Sequence, residues 1–193
     1  LTWTLVRQGM ESTGRITAMV IFILIGSTVF SLVFQGVDGG IWIEHSHPSL
    51  KPMQYHPSRE WLIAHRHDPR LAGKVHVPQA RDLLSREQLL KHPAVILHEL
   101  AHAYHDQVLG FDHAELLAAY DKARAAGIYE RVLRHDGVRA KHYAMTDHKE
   151  YFAEGTEAFF YRNDFHPFVR AELKEHDPAL HALLAGIWGI AAP

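Results

Sequence analysis

Two histidines and a glutamate at metal-site spacing set the first chemical question. Within VILHELAHAYHDQ, residues 95–107, His98, Glu99 and His102 stand as H-E-x-x-H. On a helix turning about 100° per residue, His98 and His102 project from one face a turn apart and can share one metal ion. Glu99 leans to the side of that pair, placed to take a proton from metal-activated water rather than to fill a coordination position. In a chain of 193 residues with 17 histidines, such a pattern arises by chance about 0.09 times. It therefore needs a helix, a third ligand and catalytic partners elsewhere in the chain.

The helix is legible. Ser85 with Gln88 three positions on has the form of a capping box for a short helix, and Pro93 suits the first turn of the next one. From Pro93 to Leu109 the apolar residues Val95, Ile96, Leu97, Leu100, Ala101, Tyr104, Val108 and Leu109 predict a buried helix that Gly110 ends. A surface helix that merely displays two histidines fits poorly, because buried histidine and glutamate need partners and a metal supplies one.

The third ligand must come from elsewhere. The longer metzincin pattern H-E-x-x-H-x-x-G-x-x-H fails, since His105 occupies its glycine position and Val108 its last histidine. His105 and Asp106 follow His102 too closely to aim at the same ion. The stretch HYAMTDHKEYFAEGTEAFFYRND, residues 142–164, offers more. Thr146 or Asp147 caps a helix running to about Arg162, on which Glu150, Glu154 and Glu157 share a face at i, i+4 and i+7. Read alone, that face is equally a solvated acidic stripe. His142 and His148 flank it as reserve donors or ligands.

Taken together, the two helices resemble the gluzincins, in which His-Glu-x-x-His is followed some fifty residues later by Glu-x-x-x-Glu. The resemblance implies that Glu150 ligates zinc and that Glu154 supports the histidine ligands, and it leaves Glu157 unassigned. The segment Y-A-M-T-D-H-K-E-Y-F-A-E, residues 143–154, is similar to the catalytic domain family of anthrax lethal factor, across about Val95 to Phe160. That similarity implies a tyrosine, here Tyr143, facing the metal seven positions before the glutamate ligand. A donor there can stabilise the oxyanion that develops in acyl transfer. Residues Met53 to Trp188 also look like a group of small bacterial proteins sharing the ending NDF-x-PF-x-R-x-EL.

These helices belong to an unevenly composed chain. There are no cysteines, so a metal must sit on histidine and carboxylate ligands. The formal charge is −2, with acidic and basic residues interspersed, which leaves no footprint for nucleic acid. Residues 17–34, TAMVIFILIGSTVFSLVF, run eighteen positions without a charge, long enough to read as a transmembrane-like helix. Arg7 and Arg15 before it point to a cytoplasmic N-terminus and an exported body. This head resembles part of the large membrane subunit of TRAP-type dicarboxylate transporters, which implies a fusion or joined gene fragment.

The composition changes after Gly40 into the linker-like IEHSHPSLKPMQYHPS, and the boundary is placed near residue 46. The expectation is a membrane-associating segment over 1–45 and a zincin-like, mainly α domain over 46–193. In that domain little beyond Val75-His76-Val77 reads as strand. The expected activity is zinc-dependent hydrolysis of a peptide or protein substrate. The alternatives are a non-catalytic zinc-binding adaptor and a transporter fragment. If the head is genuine the domain is membrane-anchored and exported; otherwise it is soluble.

Overall fold

The computed structural model describes residues 36–38, 40–83 and 85–189. Strands β1 (Ile41–Ile43) and β2 (Gln54–Tyr55) come first, then helix α1 (Arg59–Ala64), strand β3 (Val75–Val77) and helix α2 (Arg86–Lys91). Helix α3 (Val95–Tyr104) carries the motif and is followed by α4 (Ala114–Ala126). The hairpin β4 (Val132–Leu133) and β5 (Arg139–Ala140) leads to α5 (His148–Phe160), α6 (Arg170–His176) and α7 (Pro178–Ile187). The described chain is thus mainly α with a small sheet. Among these residues no helix is long and apolar enough to cross a membrane, and the apolar span 17–34 lies outside them.

Side-chain caps start the helices that matter for the site. Ser85 Oγ accepts from Gln88 N–H at 3.1 Å, as its spacing predicts. Of the two candidates before α5, Asp147 is the cap: its Oδ1 accepts from Lys149 N–H at 2.8 Å and Glu150 N–H at 3.0 Å. Two orphan donors of the first turn are satisfied, and the acid favours the positive end of the helix dipole. The helix ends at Phe160, slightly short of the expected Arg162. The motif helix departs further from expectation. It begins at Val95, not Pro93, and from His105 to Leu109 it widens into a π-helical segment before Gly110, whose φ of 82° breaks it.

β3 is the centre of a three-stranded sheet, parallel to β1 and antiparallel to β2. Its residues are all buried, which explains why it alone reads as a strand. β1 and β2 are too short for a two-residue period to show. Their pairing ties residues from Ile41 onward to the motif-bearing body, ahead of the boundary that composition placed near residue 46. Glu44 continues the tie, donating its N–H to Val77 O at 2.9 Å and accepting from Ala80 N–H at 2.9 Å.

Helix α5 lies at the middle of the core, with every residue from Tyr151 to Phe159 buried. α3 packs on one side of it, and α7 on another. Gly155 lets α7 close in: a Cβ there would sit 2.7 Å from Leu180 Cδ2. Asp177 joins the same elements, capping α7 through Leu180 N–H at 3.0 Å and accepting from Tyr151 OH at 2.6 Å and Tyr129 OH at 3.3 Å. Arg170 lies over the Phe159 ring, its guanidinium carbon 4.0 Å from the centroid.

Candidate metal centre

Helices α3 and α5 face each other with their polar stripes inward, and three donor atoms meet between them. His98 Nε2 lies 3.0 Å from Glu150 Oε2 and 3.1 Å from His102 Nε2, and His102 Nε2 lies 3.4 Å from Glu150 Oε2. Ligand atoms around a tetrahedral zinc with bonds of about 2.0–2.1 Å are separated by roughly 3.3 Å. The triangle of donors has that size, and these buried or half-buried side chains are positioned to hold a metal ion.

The chemistry of the donors points the same way. His98 Nδ1 is 2.7 Å from Glu157 Oε1, which assigns the ring proton to Nδ1 and leaves the Nε2 lone pair turned toward Glu150 and His102. Lone pairs facing each other at 3 Å repel unless a cation lies among them. In the metal-free protein a proton does this. Burial opposes a charge on His98, but hydrogen bonds to Glu150 and Glu157 and the nearby Glu154 outweigh it and hold the imidazole well above its usual range. Burial likewise works to raise Glu150, yet its hydrogen bonds to His102 and His98 bring it down to about 2. A metal competes with protons for such a donor set.

The support of His98 differs from the expected one. Glu157, unassigned from the sequence, makes the hydrogen bond, whereas Glu154 Oε1 stands 3.6 Å from the same nitrogen. Glu154 is held elsewhere: Asn163 Nδ2 donates to its Oε2 at 2.7 Å and to its backbone oxygen at 2.9 Å. Periodicity puts both carboxylates on the ligand-bearing face, and this competition between His98 and Asn163 separates their roles. Burial raises both acids, the charge of Glu157 adding to the effect at Glu154. Asp164, also buried, lies close enough to raise both further, and neither Asn163 nor Asp164 stood out from sequence except within the NDF ending.

Glu99 is buried beside the cluster, and burial raises its carboxyl against the opposing pull of His98 and His102. Its Oε2 accepts from the backbone N–H of Tyr55 on β2 at 2.7 Å, a partner that no sequence pattern disclosed. Tyr143 begins a short 3-10 turn and is half exposed on the wall of the same cleft. Desolvation raises its phenol, and the charge of Glu150 adds to this, so the hydroxyl keeps its proton as a donor. The cleft measures about 990 Å³ and runs from the extended segment Lys51–Tyr55 to the turn at Arg134–Asp136.

The reserve histidines lie outside the cluster. His142 accepts from Ala144 N–H at 3.1 Å and stacks on Phe165, and burial lowers it to about 3. His148 donates to Phe111 O at 2.7 Å. His105 is fully buried among Phe111, Phe152 and His148, where desolvation keeps it neutral with a pKa of about 3. No protein-family model matches this chain, and no curated protein or solved structure matches it.

Proposed function

We propose that this domain is a zincin-like, gluzincin-type peptidase in which zinc is held by His98, His102 and Glu150. The observation that carries the reading is the triangle of donor atoms 3.0–3.4 Å apart with a buried carboxylate, Glu99, on the next residue. A zinc ion there supplies Lewis acidity, lowering the pKa of a water and polarising a carbonyl. Glu99, raised by burial, takes the proton of the attacking water and passes it to the leaving amine. The protonated phenol of Tyr143 donates to the developing oxyanion, and Glu157 keeps the proton of His98 on Nδ1. The cleft beside the segment Lys51–Tyr55 takes the peptide or protein substrate. A base beside the ligands favours catalysis over a structural zinc site, which has no use for one.

The test is metal analysis of the full chain together with cleavage of a mixed peptide library by the wild type and Glu99→Gln. Stoichiometric zinc, with cleavage lost in the variant, is the expected result. Zinc without cleavage in either protein favours a non-catalytic adaptor, and absence of zinc overturns both readings.

A further inference from the structure

Asp106 and Gln107, which close the motif stretch, take no part in the donor cluster and reach toward the sheet instead. Tyr55 OH donates to Asp106 Oδ2 at 2.7 Å and accepts from Gln107 Nε2 at 3.0 Å. Gln107 is itself fixed, donating to Gly73 O at 3.2 Å and accepting from Asp38 N–H at 2.6 Å. The other end of Tyr55 is its N–H on Glu99 Oε2 at 2.7 Å. Glu99 and Asp106 are seven residues apart, two helical turns and about 10 Å on one side of the helix. Tyr55 spans that interval, with its main chain on one carboxylate and its phenol on the other. The π-helical segment, His105–Leu109, carries the clamping residues.

A glutamate has three rotatable bonds, and a general base works only from the rotamers that reach the reacting proton. β2 is an edge strand of two residues, paired to the sheet on one side only, so its position needs a second hold. We propose that Tyr55 is a positioning residue for Glu99: the Asp106–Gln107 clamp on its hydroxyl fixes β2, so that the Tyr55 N–H pins one carboxylate oxygen and limits the rotamers from which the other works. The role of Glu99 as base rests on the peptidase reading, whereas the clamp itself does not.

The experiment uses the full chain and four variants: Tyr55→Phe, Asp106→Ala, Asp106→Asn, which keeps an acceptor for the phenol, and Glu99→Ala. Hydrogen exchange of the backbone amide at position 55 is measured in the metal-free proteins. It speeds up roughly tenfold or more in Tyr55→Phe, Asp106→Ala and Glu99→Ala and stays near wild type in Asp106→Asn. With zinc bound at wild-type stoichiometry, Tyr55→Phe and Asp106→Ala lower kcat roughly tenfold at a KM within about twofold, and Asp106→Asn restores it. Unchanged exchange in both Tyr55→Phe and Asp106→Ala overturns the clamp. Faster exchange with unchanged kcat overturns its bearing on the base, as does a loss of zinc in parallel with activity. A wild type that cleaves nothing ends the peptidase reading, and the amide exchange still decides the clamp.

Discussion

Two groups of buried histidine divide this molecule. His98 on α3 faces carboxylates at both ring nitrogens, Glu150 at 3.0 Å and Glu157 at 2.7 Å. Two turns further, His105 is more deeply buried and is packed among rings, and neither of its nitrogens has a hydrogen-bond partner among the described residues. His142 and His56 resemble His105 in being buried and pushed down, to about 3 and about 4. The residue type is the same, and all four are buried. What differs is whether an acid on a neighbouring element can outweigh desolvation, and that separates an imidazole positioned to hold a metal ion from one that only packs.

The sharpest way to break the comparison is to delete a ligand. His98→Ala is expected to weaken zinc binding at least about 10³-fold, read by competition with a chromophoric chelator; retention of zinc would remove His98 from the centre. Glu150→Ala is expected to cost more affinity than Glu157→Ala.

Acid probes the other group. His56, His105 and His142 have folded pKa values below the ordinary 6.5, because burial disfavours their charge and neighbouring histidines add to it. The unfolded chain therefore takes up protons first, so stability is complete above about pH 6.5 and is lost as pH falls toward 3. Each such histidine costs up to about 2 kcal/mol between pH 7 and pH 5. Because the raised His98 and the buried acids work in the opposite direction, urea unfolding of metal-free wild type and His105→Leu at the two values measures this as a difference, and an equal loss in the two proteins would contradict the neutral, buried assignment of His105.

A smaller effect separates the two supporting carboxylates. Glu157→Gln is expected to lower zinc affinity about 10–100-fold and Glu154→Gln by less than that, since only Glu157 bonds His98 directly. Reversed affinities would restore Glu154 to the role that the gluzincin resemblance implies. Smallest of all is His105→Leu. With no hydrogen bond to lose, it is expected to change stability by less than about 1 kcal/mol at pH 7, leave zinc content intact and reduce the acid sensitivity.

The motif helix, the Ser85 cap and the acidic face of α5 were legible because each rests on contacts within a few residues of sequence. So was the exclusion of His105, which follows from its crowding against His102 on one helix. The strands were not, apart from the fully buried β3: β2 is two residues long, and its importance comes from a main-chain N–H that no side chain advertises. The widening of α3 at His105 was equally hidden, since the apolar spacing there suits an ordinary helical turn as well.

By itself the sequence determined the pair of histidines one turn apart, the glutamate between them and a second helix bearing Glu150, Glu154 and Glu157 on one face, since helical periodicity alone dictates those placements. Only the tertiary structure decided among the three acids. Glu150 completes the donor triangle, Glu157 bonds the far nitrogen of His98, and Glu154 is taken by Asn163. Periodicity fixes direction around a helix axis. Which of several long side chains meets a given partner depends on how deep each sits and what else competes for it, and that is settled by packing between elements far apart in sequence.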